Sequence, residues 1–307
     1  MCGDKSLTTG CAVTVCTGKP IFNFNHFLIM MPSLPLEVVE RIIDDVATDY
    51  VWPYIHQVYH NLKSCALVCH SFLPLCRKHI FASVTLNAQP HSASPTSTSD
   101  DLNYLLSDSP HLAVYIRKLE YHVCKKEFVA KRSPWLLAMF KKLVKLQKLT
   151  IRHSPSSRCR KLDWMSSSVR KVLLPLLHLP TLTSIRLSTF RNFSLADLAI
   201  CVNLKELEVE FLECSNDVGK FLEALPTTPV MLEQLAINKC WNVIPVQQLY
   251  HARRPDGKPI IDFSSLKKIT AEVLRVDSVE ELFVICGNLH KITLSGISLP
   301  DFVSPSI

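Results

Sequence analysis

The sequence predicts a mixed α/β fold, with a three-helix unit near the N-terminus followed by an irregular solenoid of alternating short strands and helices. Three observations predict it. The pattern apolar-x-x-apolar-x-apolar recurs seven times, as Ile116-Leu119-Tyr121, Leu146-Leu149-Ile151, Leu182-Ile185-Leu187, Leu204-Leu207-Val209, Leu232-Leu235-Ile237, Leu266-Ile269-Ala271 and Leu289-Ile292-Leu294, with starts 30, 36, 22, 28, 34 and 23 residues apart. Its last two apolar positions are two apart and share one face of a strand, while the first turns in from the approach. Before the first copy the apolar residues recur at helical steps instead. Finally, the chain has 307 residues and is 48% apolar, enough for a sizeable core, while 19 prolines imply frequent element boundaries.

Residues 1–31 are expected to lie outside the fold, as a disordered tail or a mis-annotated start with Met30 or Met31 as the initiator. Asn23, Asn25 and His26 interrupt their one apolar run, so no secretory signal is read there. Pro35 then suits a first helical turn, and Glu37 follows where the helix dipole favours negative charge. Val38, Val39, Ile42, Ile43, Val46 and Ala47 form an apolar face, with Arg41, Asp44, Asp45 and Asp49 opposite. A second helix is expected over residues 61–72, with Leu62, Cys65, Ala66, Cys69 and Phe72 as its stripe and Pro74 as its limit. A third, over 75–80, leads into strand-like residues 82–86.

The runs Leu34-Pro35-Leu36-Glu37-Val38-Val39-Glu40-Arg41-Ile42-Ile43, Leu62-Lys63-Ser64-Cys65-Ala66-Leu67-Val68-Cys69-His70-Ser71-Phe72-Leu73 and His79-Ile80-Phe81 together resemble an F-box. They are most similar to the F-box of fungal (mushroom-type) proteins that carry leucine-rich repeats behind it. Two departures stand out: His70 and Phe72 replace a basic residue and a Trp, and residues 50–61 exceed the common connector. The resemblance covers residues 32–86. It implies docking to the Skp-type adaptor of cullin–RING ubiquitin ligases, with Leu34, Pro35, Val38, Ile42, Val68, Cys69 and Phe72 at or just behind the interface. The plainer alternative is that these residues only pack the helices together. So small a unit rarely buries enough apolar surface alone, so part of that surface is expected to stay exposed without a partner.

Residues 87–101 are polar and low in complexity and are expected to form a flexible linker. Ser94-Pro95 within them reads as a turn or a phosphosite. Residues 102–307 form the repeat domain. A helix is expected over 101–106, broken at Ser109-Pro110-His111, then a strand over 114–123. Ser133-Pro134-Trp135 reads as a helix start, followed by Leu136, Leu137, Met139, Phe140 and Leu143 with Lys141, Lys142 and Lys145. That basic amphipathic stretch is read as a repeat helix, the alternatives being a membrane-surface or calmodulin-type segment. Another helix is expected over 169–179, and Ser194, Asp217, Val246 and Ser278 lie near later helix starts. The repeats resemble leucine-rich repeats with looser spacing; the fifth copy carries the Cys expected next, Cys240. The resemblance implies parallel strands lining a concave face. The outward residues Thr150, Arg186 and Glu208 are then candidate contacts to a client protein, or plain solvated positions.

Charge is concentrated: residues 115–175 hold 16 Lys/Arg against 3 Asp/Glu, within a chain of net charge +7. This is either a solvated lysine face or a patch for acidic or phosphorylated partners. Basic and aromatic residues do not interleave, so nucleic acid is not expected as a partner, and no apolar run is long enough to span a membrane. The 12 cysteines are scattered without a CxxC and read as buried hydrophobes in a reducing compartment, hence a cytoplasmic or nuclear location. Cys65, Cys69, His70, Cys76 and His79 lack the paired spacing of structural zinc, so neither metal nor cofactor is expected. No nucleophile elbow, phosphate loop or HExxH occurs, and the chain is not expected to be an enzyme; a site hidden in a solenoid pocket is the weakest alternative.

The reading is therefore a substrate-recognition adaptor of an SCF-type (cullin–RING) ubiquitin ligase, its F-box docking to the Skp-type subunit and through it a cullin, its repeats holding an unidentified client. The alternative is a leucine-rich-repeat scaffold with a degenerate, inactive F-box.

Overall fold

The computed structural model describes residues 35–48, 55–87, 99–123, 133–153, 161–215, 228–238, 249–254, 257–272 and 289–295. The described residues begin with helices. Helix α1 (Leu36–Thr48) buries Val39, Ile43 and Ala47, one stripe at four-residue steps. The N–H groups of Val38 and Val39 donate to the Pro35 carbonyl at 3.0 and 3.2 Å and close the first turn. Helix α2 (Ile55–Ala66) adds Val58 and Leu62, and α3 (Phe72–Ile80) adds Cys76. These six residues form a small core of their own, and each helix touches the other two.

Both later helices differ from the expected bounds. Helix α2 starts at Ile55 rather than near 61, so it takes up half of the stretch read as a long connector. Pro74 does not stop a helix; it is the third residue of α3, a position whose N–H has no helical acceptor in any case. The apolar residues 67–69 therefore lie in the turn between α2 and α3 rather than inside a helix.

Only Phe81 and Ala82 separate α3 from the first strand. In chain order, β1 (Ser83–Asn87), α4 (Ser99–Asp108), a 3₁₀ turn (Pro110–Tyr115), β2 (Lys118–Val123), α5 (Ser133–Phe140), β3 (Lys148–His153), β4 (Leu162–Asp163) and α6 (Ser167–Leu177) come first. Then follow β5 (Ser184–Ser188), β6 (Phe190–Arg191), a 3₁₀ turn (Leu195–Asp197), β7 (Glu206–Glu210), β8 (Val230–Met231), β9 (Gln234–Asn238), β10 (Ile261–Asp262), β11 (Lys268–Glu272) and β12 (Lys291–Ser295). Eight strands make one parallel sheet in the order β1-β2-β3-β5-β7-β9-β11-β12, and β4–β6 and β8–β10 form two short parallel pairs. Among the described residues no helix is long and apolar enough to cross a membrane.

All seven apolar patterns fall on sheet strands and pair in one register. The second positions align as Leu119, Leu149, Ile185, Leu207, Leu235, Ile269 and Ile292, and the third as Tyr121, Ile151, Leu187, Val209, Ile237, Ala271 and Leu294. The first positions of the leading six, from Ile116 to Leu266, are buried as well. An eighth copy went unread: Phe81-Val84-Leu86 carries the same spacing, and β1 pairs Val84 with Leu119 and Leu86 with Tyr121. The strand that seemed to end the helical unit is the first strand of the sheet. Asn87 closes that strand and Ser99–Asp108 is helical, so both ends of the expected linker are structured; residues 88–98 lie outside the described residues.

The strand entrances share one backbone motif. The carbonyls of Ala82, Arg117, Gln147, Thr183, Lys205, Glu233 and Lys267 each accept two consecutive N–H groups from the next strand, at 2.8–3.2 Å. Among the described residues, α4, α5 and α6 lie in the longer intervals. Where consecutive copies start just 22 residues apart, the Leu195–Asp197 3₁₀ turn stands where a helix after Ser194 was expected, because a full helix does not fit the length. Helix α5 ends at Phe140, so Lys141, Lys142 and Lys145 follow it in the turn to β3. The helix starts expected near Asp217, Val246 and Ser278, and Cys240, lie outside the described residues.

Candidate functional site

Two surfaces carry the expected site residues. On the helical unit, α1 has a second apolar stripe beside the buried one. Val38 and Ile42, four residues apart and thus on one face, are 42% and 48% exposed. Val68, in the turn after α2, is 58% exposed, and Pro35 is exposed too. Cys69 and Phe72 are half-buried; Phe72 packs against the small helical core, so its side chain serves the unit's own interior. Leu34 lies outside the described residues. Two exposed apolar residues were missed, Leu36 at 57% and Leu67 at 87%. Leu67 was legible in principle: an apolar run that continues past a helix end has no helical face to join.

The opposite flank of α1 is polar. His79 Nε2 stands 2.6 Å from Asp44 Oδ1, and Lys78 Nζ reaches Glu40 at 3.2 Å and Asp44 at 3.5 Å, tying α3 to α1. Burial opposes the charge on Asp44, but the hydrogen bond from His79 and the nearby Lys78 outweigh it and hold its carboxyl below the usual range.

On the sheet, Thr150, Arg186 and Glu208 stand side by side. They are register partners on β3, β5 and β7, all half-buried on the outward face, over a shallow depression of ≈ 290 Å³ that also meets Ala236 and Thr270. Arg186 reaches Glu208 at 3.1 Å and Glu210 at 3.5 Å, Asn238 Nδ2 donates to Glu208 at 2.8 Å, and Ser188 Oγ donates to Glu210 at 3.2 Å. On β2, Glu120 meets His122 at 3.1 Å and Arg152 at 3.2 Å, and the hydrogen bond from His122 is the main cause of its lowered pKa. At the strand entrances Lys148 pairs with Glu206 at 3.2 Å, and Glu233 is held by both Lys205 and Lys267 at 2.9 Å, which brings its pKa to about 2. The outward face is thus a polar mosaic in which nearly matched charges neighbour one another. Of the basic turn, Lys141 and Lys145 are exposed, whereas Lys142 is half-buried and donates to Leu106 O and Ser107 Oγ at 3.4 Å.

Behind the sheet lies a polar knot with no obvious trace in the sequence. Asp197 is buried; Arg170 grips it twice, at 2.7 and 2.9 Å, and Trp164 Nε1 donates to it at 2.8 Å. The Trp164 ring meets Phe190 and Phe193 at 5.6 and 4.8 Å. Cys201 nearby is pushed up to about 12 by burial and by Asp197, so it stays a thiol. Enclosed and fully partnered, this group braces the β4, α6 and 3₁₀ segments together.

Among the described residues no three His, Cys, Asp or Glu side chains converge as metal ligands would; of the cysteines weighed for zinc, Cys76 is buried and Cys65 and Cys69 half-buried. No family model matches the chain, and no curated protein is significantly similar to it. Function is therefore read from geometry.

Proposed function

We propose that the chain is a substrate-recognition adaptor of an SCF-type ubiquitin ligase, a fungal F-box protein with leucine-rich repeats. The three-helix unit docks to a Skp-type subunit, and the outward face of the sheet receives the client. One observation carries the reading: the unit completes a core of six buried residues yet leaves Leu36, Val38, Ile42, Leu67 and Val68 in water. Exposed apolar residues on so small a unit support a protein interface there. Each anchor fully buried on docking contributes about 1.5–3 kcal/mol. The chain itself performs no covalent step in this reading; it raises the effective concentration of client at the ligase.

The test is co-expression of the full chain with a fungal Skp-type adaptor, followed by co-purification. A stable complex is expected, lost in Val38→Asp and Ile42→Asp while the variants stay folded. Phe72→Asp is a poor probe because Phe72 supports the helical core. A folded chain that forms no complex would sink the reading and leave a repeat scaffold with an inactive F-box, to which the departures at His70 and Phe72 already point.

A further inference from the structure

We propose that the strand-entry edge of the sheet binds an extended acidic peptide of about nine residues that inserts one apolar side chain into a hollow at that edge. This places the client at the strand-entry margin of the outward face assigned above and rests on that assignment.

The first strand residues run across the sheet in register. Lys118 stands beside Lys148 at one end, and Lys268 beside Lys291 at the other. Like charges on adjacent strands, roughly 4.8 Å apart, repel and weaken the sheet. The two carboxylates between these doublets are already taken, Glu206 by Lys148 and Glu233 by Lys205 and Lys267. Arg117, Lys118, Lys145, Lys268 and Lys291 are exposed and form no ion pair among the described residues. From β2 to β12 this edge spans roughly 29 Å, the length of about nine extended residues.

Beside the second doublet, the turns entering β7, β9, β11 and β12 enclose a hollow of ≈ 460 Å³. Val202 and Met231 stand on its wall, 43% and 42% exposed, among mostly polar neighbours that include Lys205, Glu233, Lys267 and His290. Cations along the edge and two apolar side chains in the hollow fit acidic residues flanking one aliphatic side chain. A nucleic-acid strand fits less well: among the described residues no Phe, Tyr or Trp lines the hollow to stack a base.

The experiment is fluorescence anisotropy on the full chain without any adaptor. The probe is a labelled nine-residue peptide of glutamates around one central leucine. Its comparators carry glutamine for glutamate or alanine for leucine, and a third is a nine-nucleotide thymidine strand. The glutamate–leucine peptide is expected to bind best, with affinity falling as salt rises. Lys118→Glu combined with Lys291→Glu should weaken it roughly tenfold, and Met231→Ser about threefold. Lys118→Glu sets a carboxylate opposite Lys148, so thermal stability should not fall, which separates a binding role from a structural one. Equal binding of the glutamine peptide, tighter binding of the thymidine strand, or unchanged affinity in the double variant would each overturn the proposal. The same double variant should still co-purify with the Skp-type adaptor, so failure here and failure of the adaptor reading are distinguishable.

Discussion

The three-helix unit and the sheet are built from similar apolar periodicities but turn them to opposite ends. In the sheet, the first six sequence copies bury all three of their apolar positions, and the outward rows are polar except at Ala236. In the helical unit, α1 buries one stripe and leaves the adjacent one, Val38 and Ile42, in solvent. Stacking explains the difference. Each inner strand has two neighbours and a backing layer, so its apolar residues have somewhere to go. Three short helices enclose only one small interior, and a wide stripe overflows it. Unburied apolar surface is then a property of a unit too small for its own sequence, which a docked partner would correct.

The largest effect that tests this contrast is in the sheet core. Leu187, on the central strand β5, is fully buried, and Leu187→Ala should cost about 2–5 kcal/mol in urea unfolding of the chain alone. Val38→Ala should change the same measurement by less than about 0.5 kcal/mol. Comparable losses from the two substitutions would break the comparison. Next comes the polar knot. Asp197→Ala strands the Arg170 guanidinium and the Trp164 N–H and should cost about 3 kcal/mol. A double-mutant cycle with Arg170→Ala should return a coupling above about 1 kcal/mol; simple additivity would show the knot to be incidental.

The smallest effect lies at the strand entrances. Glu233 is held down to about 2 by Lys267 and Lys205. A depressed carboxylate contributes stability that is present above its unfolded pKa of about 4.3 and is lost as pH falls. For Glu233 that loss should run from pH near the unfolded value down to about 2. Glu233→Gln should flatten the decline in that window. The carboxylate and its two lysines lie at the surface, their side chains 30–60% exposed, so about 1 M salt should erase the difference between variant and parent. A difference that survives high salt would mean the sheet edge is less open to water than its geometry indicates.

Much of the sheet was legible because a repeated pattern reports its own register: seven readings became seven aligned strands. The eighth, Phe81-Val84-Leu86, was missed because it follows a helix without a break and was absorbed into that helix's unit. Helix limits failed where proline was read as a stop; in Pro74 a first-turn position and a terminator look alike until the preceding helix is placed. In the candidate site, Thr150, Arg186 and Glu208 were found separately and proved to be neighbours, since outward positions of aligned strands share a row. Which stripe of α1 faces water was not legible, because Val38 and Val39 are chemically the same and only packing separates them. The Asp197 knot joins three segments of irregular spacing, and no local pattern announces it.

The two-residue passage from α3 to β1 sets a limit on motion. Phe81 packs into the sheet core while its N–H donates to Arg77 in α3, the Ala82 carbonyl is the first of the doubly occupied acceptors, and Arg77 meets His111 at 3.4 Å. A joint fastened on both sides has no slack to swivel. Whatever grips the helices and whatever lies on the sheet are held at a set angle and separation, like two jaws on one forging. In the adaptor reading proposed above, reach, rather than affinity alone, would decide which side chain of a client is presented to the ligase.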